Sequence, residues 1–404
     1  MDDSVIKQAS SVVSTGLVEQ LPKSPSAHEI EAVCQVTAEN LVRAALSAGR
    51  ADDIDISQIS RFSAGNSTDF VARVETTVSF VVKVDLSPAI VAEAELLRRI
   101  TSDPTLPAAT RIAFPDVYAI DSAGPVYGYA MENLDDFVPT SDLLANPETH
   151  AQALDVLAAA WRDLLQPAYA ATARDRLAHN LHADYFGRAR SRLSLASSAG
   201  LLPGPEVALS IENGIDGGLH VPGGWGGILR EAELRLENAR PPFGTWIHGD
   251  PNPENIMCLT EPSIGADVRL LDPKDWWVGD YIFDAAKILH YVRVTSPVES
   301  QAIPAALDIG SERSLISYDR STFADLRGCS PFADCLEAFA RDGTEWEDPR
   351  WRERLWLAEA ANLIGIVGPR LIKAERSSSP RDRCLGVIAL AEAIRLVMNA
   401  GDQE

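Results

Sequence analysis

Between residues 4 and 50, Ala, Val and Leu recur three and four positions apart. The pattern stops at Gly49, just before Asp52-Asp53, which predicts one or two leading helices. From Ile59 to Asp85 the period shortens to two. Phe70, Ala72 and Val74 alternate with other residues, then Val78, Phe80, Val82 and Val84 do the same, predicting a hairpin or small antiparallel sheet. Ser87-Pro88 predicts an N-cap and a first helical turn, with the helix running to about Ile100. Two further strands are expected at Val117 to Ile120 and Val126 to Met131. Residues 148–193 read as helical, and the glycines and prolines between Gly200 and Gly227 predict a long loop or linker. A short β region follows over Thr245 to His248 and Ile256 to Leu271, then helices near 281–293, 321–341, 350–375 and 381–399. The order is a small β-rich lobe with one helix, then a larger, mostly helical lobe.

The 404 residues are too many for one typical domain and suit two lobes or two to three domains. A chain that is 46% hydrophobic and 23% charged has ordinary globular composition. The net charge of −22 argues against nucleic acid as a partner, because a phosphate backbone calls for a basic footprint. Cys34, Cys258, Cys329, Cys335 and Cys384 are odd in number and lack CxxC pairing, which favours free thiols in a reducing, cytoplasmic setting. The N-terminus lacks a basic region, and the longest charge-free runs, such as Leu193 to Pro205, are shorter than the ~18 apolar residues of a span. Neither export nor membrane insertion is expected.

The densest chemical text is His248-Gly249-Asp250-Pro251-Asn252-Pro253-Glu254-Asn255, followed by Leu270-Leu271-Asp272. Flanking strands would hold Asp250 and Asn255 on a rigid loop with Asp272 at the end of the next strand. Short oxygen side chains of this kind suit Mg²⁺, and a neighbouring carboxylate can orient an attacking hydroxyl. The same residues would also suit a polar turn that satisfies backbone N–H groups. Lys83 interrupts the apolar strand Phe80-Val81-Val82-Lys83-Val84, and an ammonium placed there needs a partner or an anion. Ile90, Ala94, Leu97 and Ile100 form the apolar stripe of the next helix, and Glu93 falls inside it, so Glu93 is the natural partner. A lysine snorkelling from an edge strand is the alternative. Ser63-Ala64-Gly65-Asn66-Ser67-Thr68 offers hydroxyls and backbone N–H groups to phosphates, or is a plain turn.

Taken in order, the Ser63–Thr68 loop, Lys83, Glu93, His248-Gly249-Asp250 with Asn255, Asp272 and Gly279-Asp280 with Asp284 resemble the aminoglycoside phosphotransferase and choline kinase superfamily. The resemblance covers roughly residues 55 to 295. It implies an α+β, bilobal protein-kinase-like fold: a small N-terminal β-sheet lobe with one key helix and a larger mainly helical C-terminal lobe. It divides the chain into a helical extension (1–54), a nucleotide-binding lobe (55–131), a hinge (132–139) and a catalytic, acceptor-binding lobe (140–404). It implies ATP and Mg²⁺ as cofactors and a small-molecule hydroxyl as acceptor. Lys83 would hold the phosphates, oriented by Glu93, with Ser67 and Thr68 covering them and the backbone around Glu132 and Leu134 pairing with adenine. Asp250 would align or deprotonate the acceptor hydroxyl, Asn255 and Asp272 would bind the metal, and Asp284 would brace the catalytic loop.

His248-Gly249-Asp250 and Asp272-Pro273-Lys274 stand where protein kinases have His-Arg-Asp and Asp-Phe-Gly, which favours a small-molecule acceptor. Residues 341–404 hold 11 acids against 10 bases, so the tail lacks the acidity expected around a polycationic antibiotic. A sugar, amino sugar or amino alcohol is equally open. A non-catalytic nucleotide-binding protein and, after it, a protein kinase are the alternatives. Three weaker features remain. His179 and His182, at helical i, i+3 spacing, could form a metal pair but read better as a solvated helix face; the loop Gly223 to Gly227 could move near the acceptor; Trp276 and Trp277 could wall its pocket or pack in the core.

Overall fold

A computed structural model describes residues 27–47, 58–61, 70–76, 79–122, 124, 126–175, 183–215, 218–259, 268–274, 276–321, 323, 327–344 and 347–400. They fall into two compact units. One comprises the described residues up to Phe137 together with Arg269–Lys274, the other the described residues of 138–268 and those after 275.

The first unit is built on a five-stranded antiparallel sheet of β1 (Gln58–Arg61), β2 (Phe70–Glu75), β3 (Ser79–Asp85), β4 (Val117–Asp121) and β5 (Tyr127–Glu132). Its spatial order is β1-β2-β3-β5-β4. The period-2 alternation decides which face is dry. Phe70, Ala72, Val74, Phe80, Val82, Val84 and Ala130 bury one side against Cys34, Ala38, Leu41 and Val42 of α1 (Ala27–Ser47). Residues between them face the opposite way, where Lys83 stands directly across from Tyr129 in the β3–β5 register. Helix α2 (Ala89–Ser102) follows, burying Ile90, Ala94, Leu96, Leu97 and Ile100. Pro88 rather than Ser87 occupies its N-cap position, and the Ser87 hydroxyl instead accepts a 3.3 Å bond from the Ala89 N–H.

Glycine density misleads over 200–227. That stretch forms strands β6 (Ala208–Glu212) and β7 (Leu219–Val221) and the start of α3 (Gly224–Asn238), in place of the expected linker and mobile loop. Gly224 has φ 55°, and a Cβ there would lie 2.5 Å from the Pro205 carbonyl oxygen, so the glycine permits a close packing contact. Trp225 is buried, with its indole N–H donated to the Pro203 carbonyl at 2.9 Å.

The second unit carries the fully buried strand β8 (Phe243–Ile247), then β9 (Ile256–Leu259), β10 (Trp276–Gly279) and α4 (Tyr281–His290). Strands β11 (Ala305–Asp308) and β12 (Arg313–Tyr318) complete a four-stranded sheet in which β12 runs parallel to β6. The helix expected over 321–341 begins only at Phe332, as α5 (Phe332–Asp342). Helices α6 (Trp351–Ser377) and α7 (Pro380–Asn399) pack together and supply much of the core. By length and composition α6 could cross a membrane, but 67% of its apolar window is buried inside the protein, as in a core helix. Pro369 inside α6 has no N–H to offer the Gly365 carbonyl one turn earlier, and Arg192 fills that role with a 2.6 Å bond.

Candidate active site

Within the first unit, β3 and α2 place Lys83 and Glu93 side by side. The Lys83 ammonium lies 2.8 Å from Glu93 Oε1 and 2.5 Å from Asp272 Oδ1. The Tyr129 hydroxyl, on the neighbouring strand, donates to Glu93 Oε1 at 2.6 Å. Burial by itself would lower the Lys83 ammonium, yet the surrounding anionic groups, Asp272 and Glu93 among them, hold it well above its ordinary value. For Asp272, burial would raise the carboxyl, but Lys83 overcomes this and keeps it below the usual carboxylate range. Asp272 has φ 52°, a left-handed conformation uncommon outside glycine, and its side chain remains 40% exposed. The unit therefore holds one largely buried cation between two carboxylates, Glu93 and the partly exposed Asp272.

Glu132 ends β5 and its side chain is committed to Arg269, which grips both carboxylate oxygens and also reaches the Ala113 and Phe114 carbonyls. Its backbone N–H donates to the Asp116 carbonyl at 2.9 Å, and the Leu134 carbonyl accepts from the Phe137 N–H. Ser67 and Thr68, with their loop, lie outside the described residues, as do His179, His182 and the side chains of Trp276 and Trp277.

In the second unit the loop from His248 to Asn255 is held by side chains of α4. Asp280 caps this helix through the Ile282 N–H and is locked by fully buried Arg354, which also pairs with Asp348. One turn on, Asp284 accepts from the His248 N–H at 2.7 Å, the Gly249 N–H at 2.8 Å and the Tyr169 hydroxyl at 2.8 Å. Burial pushes the Asp284 carboxyl up to about 7 against the lowering effect of these three donors. Gly249 has φ 80°, a turn that lets consecutive N–H groups point at one carboxylate. Asp250 follows, its N–H 3.3 Å from His248 Nδ1. The Asn255 amide donates to the Asp250 carbonyl at 2.9 Å, closing the loop across the two prolines. Lys287, one turn beyond Asp284, places its ammonium 3.1 Å from Asp250 Oδ1.

The structure thus gathers Lys83, Glu93 and Asp272 into one cluster, and Asp250 and Asn255 into another. Sequence reasoning missed Tyr129, Arg269 and Lys287. Tyr129 could have been found from cross-strand register; Lys287 could have been found from its three-residue spacing after Asp284. Among the described residues no three His, Cys, Asp or Glu side chains gather as a metal cage. The oxygens of Asp272, in the first unit, and of Asn255, in the second, are each of the hard type that Mg²⁺ takes as a ligand.

The profile of the phosphotransferase enzyme family matches residues 58–315. That is well over half of the chain, and the chain belongs to this family. No curated protein sequence matches it. Among solved structures it is similar to a thermostable mutant of aminoglycoside phosphotransferase APH(4)-Ia, at 14% identity over 86% of this chain and 97% of that one, with a TM-score of 0.44. It is similar to Plasmodium vivax ethanolamine kinase at 10% identity, over 94% and 97% of the two chains, with a TM-score of 0.48. Against the macrolide 2'-phosphotransferase of Brachybacterium faecium the identity is 16%, the coverage 85% and 96%, and the TM-score 0.39.

Proposed function

We propose that this phosphotransferase moves the γ-phosphoryl group of ATP to a hydroxyl of a small molecule: a sugar, amino sugar, amino alcohol or aminoglycoside-like compound. The observation that carries the reading is Lys83 held between Glu93 and Asp272. The two carboxylates keep the Lys83 ammonium charged and fix where it points, so that it can meet a phosphate chain. Asp272 and Asn255 would hold Mg²⁺, which when bound supplies neutralisation of phosphate charge. Asp250, on a loop whose backbone is fixed by Asp284, accepts the acceptor's hydroxyl hydrogen and aligns its oxygen for in-line attack. Free thiols at all five cysteines favour a reducing compartment.

The test is ADP release from ATP and Mg²⁺ against a panel of aminoglycosides, amino sugars, hexoses, choline and ethanolamine. Asp250→Asn is expected to lower turnover by at least ~100-fold, with calorimetric ATP affinity unchanged. Wild-type rates in Asp250→Asn would remove Asp250 from the reaction. Nucleotide binding without turnover on any acceptor would favour a non-catalytic role.

A further inference from the structure

Helix α4 addresses the catalytic loop with two side chains on one face. Asp284 takes the backbone N–H groups of His248 and Gly249, and Lys287, three residues on, takes the side chain of Asp250 at 3.1 Å. Asn252 also reaches Asp250, at the same Oδ1 atom, 3.5 Å away. Asp250 and Lys287 are both about a fifth exposed, and the Lys287 ammonium lies 5.9 Å from the centre of the Phe283 ring. An ion pair shielded from most of the solvent is weakly screened, so the Lys287 ammonium fixes where the Asp250 carboxylate points.

Residue choice adds a second argument. Only Lys7, Lys23, Lys83, Lys274, Lys287 and Lys373 are lysines among 36 Lys and Arg residues. Arg is the usual cation of this chain and binds carboxylates two oxygens at a time; Lys is a compact point charge that takes one oxygen and leaves the group otherwise approachable. Two of the six stand on carboxylates of the proposed active site, Lys83 on Asp272 and Lys287 on Asp250.

We propose that Lys287 is a positioning residue for phosphotransfer, holding the Asp250 carboxylate by Oδ1 in the rotamer from which it aligns the acceptor hydroxyl. The proposal rests on the reading of Asp250 given above. It concerns the step after binding, so Lys287 acts on turnover and leaves nucleotide affinity alone.

The probe is MgATP with water as acceptor, followed by ADP release. Lys287→Met keeps the apolar stem; it is expected to lower kcat by ~10–100-fold while the KM for MgATP stays within about twofold, and Lys287→Arg is expected to recover at least part of kcat. Wild-type kcat in Lys287→Met, or a loss confined to KM, overturns the proposal. A second measurement needs no turnover. Reductive ¹³C-dimethylation keeps lysine charge and gives few enough resonances to resolve; Lys287 is assigned by its loss in Lys287→Arg. Asp250→Asn is expected to shift the Lys287 resonance and leave that of Lys373 in place. An unmoved Lys287 resonance overturns the proposal even if wild-type water turnover is too slow to follow. Full activity in Asp250→Asn would instead overturn the underlying reading, and the shifted resonance would then report a pair without a catalytic task.

Discussion

Lys83 shows how one position decides chemistry. Its neighbours Val82 and Val84 bury themselves against α1, so strand geometry turns Lys83 to the other face, onto Glu93, Asp272 and the Tyr129 ring. Without the ammonium, two carboxylates would face incoming phosphates with nothing between them. Lys83→Met is therefore expected to weaken ATP binding by ~10–100-fold, read by calorimetry, since a desolvated charge contact contributes about 1.5–3 kcal/mol. An unchanged affinity would place the phosphates elsewhere. This cluster was legible because a lone lysine inside a Val-rich strand and a glutamate inside an apolar stripe both break a local rule. Tyr129 was not, because a tyrosine in a strand breaks none; its contact with Glu93 follows from register, which only the folded sheet supplies.

Helix α4 concentrates opposing titrations. Asp284 is pushed up to about 7 by burial, and His290, at the end of the same helix, is lowered to about 3 by burial and by Lys287. Between pH ~3.8 and about 7 native Asp284 holds a proton that the unfolded chain has lost, so its contribution to stability falls as pH rises. Native His290 stays neutral where the unfolded chain is protonated, below pH ~6.5, so its contribution falls as pH drops toward about 3. The two slopes are of opposite sign and largely cancel in the wild type between about pH 4 and 6.5. In urea unfolding across this range, Asp284→Asn is expected to lose up to ~1.4 kcal/mol per unit of acidification, and His290→Gln the same amount per unit of rising pH. Parallel pH curves for the two variants would refute the assignment. The sequence made α4 and the bracing role of Asp284 readable, but not the strands at 305–318 or the helix at Gly224. Clustered glycines signal freedom in isolation, whereas Gly224 is demanded by a close approach to Pro205 that no local pattern announces.

At the scale of the whole molecule the units are not consecutive segments. Arg269–Lys274 belongs to the first unit although the residues flanking it belong to the second. Leu270 donates its N–H to the Ala113 carbonyl, and Arg269 joins Glu132 to two further carbonyls. Arg269→Ala is expected to destabilise the protein by about 2–4 kcal/mol, because it strands a half-buried carboxylate along with the carbonyls. Denaturant titration would show it, and a change below ~0.5 kcal/mol would mean that the pairing is dispensable. The same return of the chain has a consequence in time. Lys83 and Asp272 are 189 residues apart, which at ~5–20 residues per second is roughly 10–40 s of synthesis. The lysine spends that interval with Glu93 and Tyr129 but without Asp272, and the cluster is completed only after most of the polypeptide has been made.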